Sequence, residues 1–548
     1  MEQWRSLLVT LAVVALLGLH DRFVRLAGSV LIFEESQGSA LDKVRQEWGL
    51  TYEEWKVGGD CDRAPGLSCD EDGFVVFFYM NAGITGTIPA ALGALTRLRF
   101  LDISNSQLGG TIPDAMSALA RLAYLRMDYN SLSGAIPPAL CELTLLEYMS
   151  LLHNMLEGTI PTAITNLFRL RDLDLGSNKL TGPLPSDISN LEALQTLKVA
   201  GNALDGSLPS AIGNLPSLLR LDLSGNKLIG ELPSTMGGLM QLQYLLLHYN
   251  EFTGAIPESI KDLSSLCYLE LSHNQLSSSL PTSLGLLPYL AYLYLGNNQL
   301  EGPLPSTIGD LSNLQVMHMP SNQLTGPLPD TIGQLTSLSW IHLSHNLIDG
   351  AIPSTISTLT DLCRIILNAN ALNQPVPDVF QMLTNIDTLR LEENQLPGSI
   401  PTSIGKIEIL TSLNLSSNSL EGTIPSSLGT LSYLKYLDLR LNQLTGTVPA
   451  TLGSITELQL LYVDSDEVTC GASGSSCEVE QISWTAFCHL CPDFCSSCTP
   501  PPPSPSPPPS KPNKPPCKPK RAACPRKACP KGKWCIPFVR SCKGYKCM

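Results

Sequence analysis

An α/β repeat fold, a solenoid with one long parallel sheet along its concave side, is what this 548-residue sequence predicts. Three observations predict it. A 24-residue pattern returns fifteen times without insertion, its copies starting at residues 95, 119, 143 and onward in steps of 24 to 431, and ending at Ser454. Apolar residues stand at positions one, four, seven, nine, fourteen and eighteen of each copy. The polar punctuation is equally regular: Asn at position twelve in 14 of 15 copies, with Ser106 the exception, Gly at sixteen except at Ser278 and Gln374, and Pro at nineteen throughout.

No 24-residue unit can bury its own leucines, so each must stack on the next and merge its apolar positions into one column, which is the leucine-rich-repeat logic. Positions six to ten alternate, which sends seven and nine inward and leaves six, eight and ten facing outward together. One short strand per unit then builds the sheet, on the order of 70 Å long at roughly 4.8 Å per strand. The Asn amide at twelve is placed to satisfy backbone groups of adjacent coils where the chain leaves the strand. Gly at sixteen permits an unusual dihedral and Pro at nineteen fixes the turn after it. Half-copies at 74–89 and 455–468 are expected to cap the stack.

The runs LSGAIP at 132–137 and LEGTIP at 420–425 resemble the plant-type extracellular leucine-rich repeat of receptor kinases, receptor-like proteins and polygalacturonase-inhibiting proteins. The resemblance spans roughly residues 38–468. It implies extracellular recognition without naming the ligand. It also implies an N-terminal cap made of a helix and the cysteines Cys61 and Cys69. Residues 38–48 read as that helix, with Ser39 as N-cap and Leu41, Val44 and Trp48 on one face.

The remaining organisation follows from composition. Arg5 precedes an apolar run at 7–19, short for a bilayer span and suited to a secretory signal, so residues 1–27 are assigned to a signal peptide and 28–94 to the cap and degenerate first repeat. The fifteen repeats fill 95–454, a degenerate repeat and Cys-rich cap 455–498, a Pro/Ser-rich linker 499–516, and a basic Cys-rich tail 517–548. The linker, TPPPPSPSPPPS at its start, looks like the modules of extensins and hydroxyproline-rich wall glycoproteins. Twelve of 17 cysteines lie in the last 79 residues, and Cys470 and Cys477 are assigned with the rest to disulfides. Cys488, Cys491, Cys495 and Cys498 are spaced too tightly for a zinc ribbon, and neither metal nor cofactor is expected.

Charge is segregated. Residues 499–548 hold 12 Lys and Arg and no acid, which leaves 23 basic against 49 acidic residues before them, a net of −26. For a secreted chain, acidic polysaccharide rather than nucleic acid is the expected partner of such a tail. No phosphate-cradling glycine loop, HExxH, GxSxG or kinase module is present, so the sequence reads as a binder and not an enzyme. The expected ligand is an extracellular peptide, protein or glycan.

The binding face is expected on the outward positions. Position six runs Phe100, Tyr124, Tyr148 in early repeats and Tyr244, Tyr268, Tyr292, Trp340, Arg364 in later ones. Positions eight to eleven reinforce the second group with His248, Tyr249, His273, Tyr294, His318, His342 and His345. Exposed aromatic rows mark interaction surfaces, although rings also stack to stabilise a parallel sheet. Imidazoles exposed on such a face would titrate near ~6.5 and make binding pH-responsive. Asn414 heads the one glycosylation sequon, Asn414-Leu-Ser416. Two other readings fit: a structural wall glycoprotein in which the repeats are scaffold, and a kinase-lacking receptor-like protein anchored by an uncleaved N-terminal segment, the one route to a transmembrane helix.

Overall fold

The computed structural model describes residues 35–50, 66–81 and 83–464, together with the short strands Val468–Cys470, Ser475–Ser476, Ile482–Ser483, Cys535–Pro537 and Tyr545–Cys547. The signal run, Cys61, Cys477, the Pro-rich linker and most of the basic tail, with the expectations attached to them, lie outside the described residues. The chain divides into two compact units, one of Met1–Leu204, Leu215–Leu218 and Ala523–Met548, the other of Asp205–Asn214 and Leu219–Ala522.

In the first unit the helix Glu35–Glu47 covers the start of the array. Leu41, Val44 and Trp48 are buried, the Trp48 ring meets Phe78 edge-on at 5.9 Å, and its indole N–H donates to the Thr87 carbonyl at 2.8 Å. Ser39 is therefore not the N-cap that the sequence suggested. The helix already runs from Glu35, because Gln37 in its first turn accepts the Val75 N–H at 3.0 Å and ties the helix to the first strand. After the antiparallel pair Leu67–Cys69 and Val75–Tyr79 come the parallel strands Phe100–Asp102, Tyr124–Arg126, Tyr148–Ser150, Asp172–Asp174 and Thr196–Lys198.

The second unit continues the pattern with Arg220–Asp222, Tyr244–Leu246, Tyr268–Glu270, Tyr292–Tyr294, Val316–His318, Trp340–His342, Arg364–Ile366 and Thr388–Arg390, each pairing position six with position six of the next. The side chains at one, four, seven, nine, fourteen and eighteen are buried in every coil, as periodicity demanded.

The asparagines do what their spacing implied. The Asn274 amide donates to the Leu247 and Leu271 carbonyls, both at 3.0 Å, while its Oδ1 accepts the Phe252 N–H at 3.1 Å, so one side chain satisfies three backbone groups on two coils.

Two features escaped the sequence reading. A second set of short parallel strands, such as Glu251–Gly254 and Leu347–Gly350, follows the turn after position twelve, so each coil contributes more than one strand. Position eleven is left-handed in all fifteen copies, with φ between 51° and 66°, including at Tyr249 and His273. Ser278, which replaces Gly at sixteen, keeps the glycine conformation with φ 68°.

Beyond the Pro at nineteen the convex side is a 3-10 turn rather than an α-helix, five residues long in most coils, as at Glu258–Asp262, and three at Ile188–Asn190 and Phe380–Met382. A Cβ on Gly213 or Gly285, at position twenty-three, would sit 1.9 or 2.1 Å from a carbonyl of the next coil, so these glycines let neighbouring turns close up.

Replacing Asn274 with Ala strands two carbonyls and one N–H in the interior, each costing about 1–3 kcal/mol. Urea denaturation followed by circular dichroism should show a transition shifted to lower urea, with about 2–4 kcal/mol lost. Replacing the exposed Gln275 should change little.

Candidate functional site

The two units use their position-six rings differently. In the first unit Phe77, Phe100, Tyr124 and Tyr148 stack with centroids 4.3 Å apart and planes within 13°, and Phe100 and Tyr124 are buried. Burial holds the Tyr124 and Tyr148 hydroxyls well above their usual range. Arg126 beside this stack lies between Asp102, 3.5 Å away, and Asp128, 2.9 Å away, and Lys198 pairs with Asp174 at 2.9 Å. Rings that close on one another and charges already matched serve the sheet.

The later row is more open. Tyr268 lies 6.3 Å from Tyr244, 5.4 Å from Tyr292 and 5.4 Å from Tyr294, with planes tilted by about 30°. Tyr294 leads to His318 at 5.5 Å, and His318 meets Trp340 at 5.1 Å and His342 at 4.6 Å, both edge-on. All seven rings are half-buried. Arginines close both ends: Arg220 stands 5.6 Å from the Tyr244 ring and Arg364 6.0 Å from Trp340. The row runs in strand register, so the chosen residues at positions six and eight form one surface.

The residues from positions ten and eleven stand apart, past the strand ends. Tyr249 is 57% exposed and stacks on His273 at 4.1 Å; the His273 ring contacts the Asn297 amide at 3.3 Å, and His248 meets Tyr249 edge-on at 5.6 Å. They make a ledge beside the row.

The expected pH-responsive face is corrected at three of its histidines. Burial lowers His248, and it depresses His318 and His342 to about 4, with neighbouring positive groups adding to the shift at His342. Strands one repeat apart crowd their outward side chains enough to desolvate them, so position eight faces outward without being fully wet. His318 and His342 stay neutral through mildly acidic conditions. The group the sequence reading missed is Glu270, at position eight between Leu246 and Tyr294. Desolvation among the rings pushes its carboxyl up to about 7, against hydrogen bonds from Ser272 and Tyr268. A lone acid in a leucine-rich repeat carries no sequence signal of burial.

Among the described cysteines, Cys69 and Cys363 are disulfide-bonded, while Cys141 and Cys267 are buried. The sequence reading left Cys363 unassigned. Asn414 is buried and its Oδ1 accepts both the N–H and the hydroxyl of Ser416, so the sequon amide lies among the sheet's side chains. Among the described residues no cluster of His, Cys, Asp and Glu could hold a metal ion, and no helix is long and apolar enough to cross a membrane.

Family models described as leucine-rich repeat region, at 156–248, and leucine-rich repeat, at 97–119, 121–143, 240–300 and 409–468, match the chain. The plant peptide hormone receptor RGFR1, solved in complex with RGF2, is 34% identical over 74% of this chain and 68% of its own, with a TM-score of 0.65. The chain belongs to the plant-type extracellular leucine-rich-repeat proteins. The Arabidopsis receptor kinase HAESA, in complex with the peptide hormone IDA and the co-receptor SERK1, is 25% identical over 79% and 90% of the two chains, with a TM-score of 0.53. A Leptospira interrogans leucine-rich-repeat protein is 33% identical over 66% and 88%, with a TM-score of 0.55. No curated protein matches the sequence. The fold is that of a leucine-rich-repeat receptor ectodomain.

Linkage gives this face a signature in stability. Folded His318 and His342 remain neutral while their unfolded counterparts take up protons below the ordinary value of 6.5, so their contribution is full above that pH and is lost as pH falls toward about 4. Glu270 acts oppositely, binding its proton in the folded state between its ordinary 4.5 and about 7, so its contribution is lost as pH rises through that window. A His318→Gln, His342→Gln double variant should flatten the fall in urea midpoint between pH 6.5 and 4, and Glu270→Gln should steepen it. Parallel profiles for all three proteins would contradict the burial of these groups.

Proposed function

We propose that this plant-type leucine-rich-repeat protein is a secreted recognition module that binds an extracellular peptide along the row from Tyr244 to Trp340. One observation carries the reading: the later row leaves tilted, half-buried ring faces between two arginines, where the earlier ladder is stacked shut. Tyr and Trp offer broad contact area at little entropic cost and a polar tip for orientation. RGFR1 and HAESA, the plant relatives described above, are both solved with peptide hormones, which favours a peptide over a glycan here. Tyr249, His248 and His273 form a ledge that would meet a ligand overhanging the row.

The basic segment at 499–548 is the natural wall-associating element, because twelve cations without an acid would be held on anionic polysaccharide. Secretion and wall residence belong to this proposal together with the tail.

Replacing Tyr268 and Tyr292 with Ala should weaken peptide capture by the immobilised chain by about a hundredfold, the loss of two aromatic anchors, while the circular dichroism spectrum stays that of wild type. Undiminished capture by the double variant would remove the row from the binding site. Separately, the full chain should elute late from a pectate column and lose that retention near ~1 M salt, where the screening length is about 3 Å. A chain ending at Cys498 should elute without delay, and equal retention of the two would discard the tail as the wall-binding element.

A further inference from the structure

Acids at position eight of the sheet follow a rule that one of them breaks. Among the described residues of the fifteen copies they are Asp102, Asp174, Asp222, Glu270 and Asp438. Four have a cation against them: Arg126 at 3.5 Å, Lys198 at 2.9 Å, Arg220 at 2.9 Å and Arg440 at 2.7 Å. Glu270 has none. Its donors are neutral, the Ser272 N–H at 3.3 Å and the Ser272 and Tyr268 hydroxyls. The row's arginines are committed elsewhere, Arg220 to Asp222 and Arg364 to Asp387 at 3.4 Å.

We propose that the row seats a cationic side chain of the bound peptide, a lysine ammonium or arginine guanidinium, against the Glu270 carboxylate and the rings of Tyr244, Tyr268, Tyr292 and Tyr294. This rests on the row being the peptide face and names the chemistry that the face selects. A carboxylate desolvated without a counter-charge is costly, and an incoming cation removes that cost while gaining the electron-rich ring faces around it. The cost is visible in the carboxyl's rise to about 7. The acidic body, with a net of −26 over residues 1–498, draws cations toward the face from a distance. A neutral sugar or an acidic peptide would leave Glu270 uncompensated.

The titratable groups around Glu270 are the four tyrosines, His248 at the neighbouring coil's position ten, His273 at its own coil's position eleven, and His318 one coil beyond Tyr294. Burial holds His318 neutral and lowers His248, and His273, at the end of Glu270's own strand, is the neighbour tested beside Glu270.

The test uses the full chain, immobilised, with fluorescent octapeptide pools in which one position is fixed as Lys, Arg or Gln. At pH 7.5 the Lys or Arg pools should be retained about tenfold better than the Gln pools at one position. That preference should shrink toward none at pH 5.5, and should be absent at both pH values in Glu270→Gln but kept in His273→Gln. Circular dichroism checks that each variant folds. An unchanged preference in Glu270→Gln, or retention without any basic preference, overturns the cation seat while leaving the row as the peptide face. Retention indifferent to Tyr268→Ala and Tyr292→Ala overturns the row itself. Spermidine is the non-peptide arm: displacement by spermidine in the absence of any pool preference overturns the peptide assignment.

Discussion

The amide of the asparagine at position twelve fixes the relation between neighbouring coils, and the recognition face depends on that relation. Each amide holds a carbonyl of its own coil, a carbonyl of the preceding coil and an N–H of the preceding coil, as Asn250, Asn274 and Asn298 do in succession. A side chain that bonds across two coils sets their register, so residues with the same repeat number are brought side by side. Tyr268 sits beside Tyr292, and Glu270 beside Tyr294, in that register, which the backbone ladder shares.

Most of this could be read from the sequence because it is periodic. The leucines at seven and nine had to face inward, the asparagine had to be an internal bond-maker, and glycine at sixteen marked a left-handed turn, since each claim concerns one residue type in one repeated environment. What could not be read depends on neighbours. The left-handed residue at position eleven has no fixed identity, being Tyr, His, Ser, Ala or Glu in different coils, so it left no compositional trace. The start of the capping helix was misplaced at Ser39 because the deciding contact, Gln37 to Val75, joins residues 38 apart.

The same distinction separates the two aromatic ladders. Tyr124 and Tyr268 occupy one repeat position and are indistinguishable by pattern. Tyr124 is flanked by rings on both sides at stacking distance, and Arg126, two residues along its strand, is paired to two acids. Tyr268 has tilted neighbours, and the residue two along its strand is Glu270 rather than a paired cation. Whether a ring is scaffold or contact is thus decided by how the adjacent coil fills the spacing.

Crowding also changes what an outward-facing polar group does. A free strand would leave position eight wet, and its imidazoles and carboxylates would titrate at their ordinary values. In the array the flanking side chains remove much of that water, which lowers His318 and His342 and raises Glu270 by one mechanism acting on opposite charge types. An acid near neutrality and imidazoles that remain uncharged make this stretch poor in fixed positive charge between its terminal arginines. The electrostatic character of the face therefore comes from which charges lack partners, and a census of histidines along the chain does not report it.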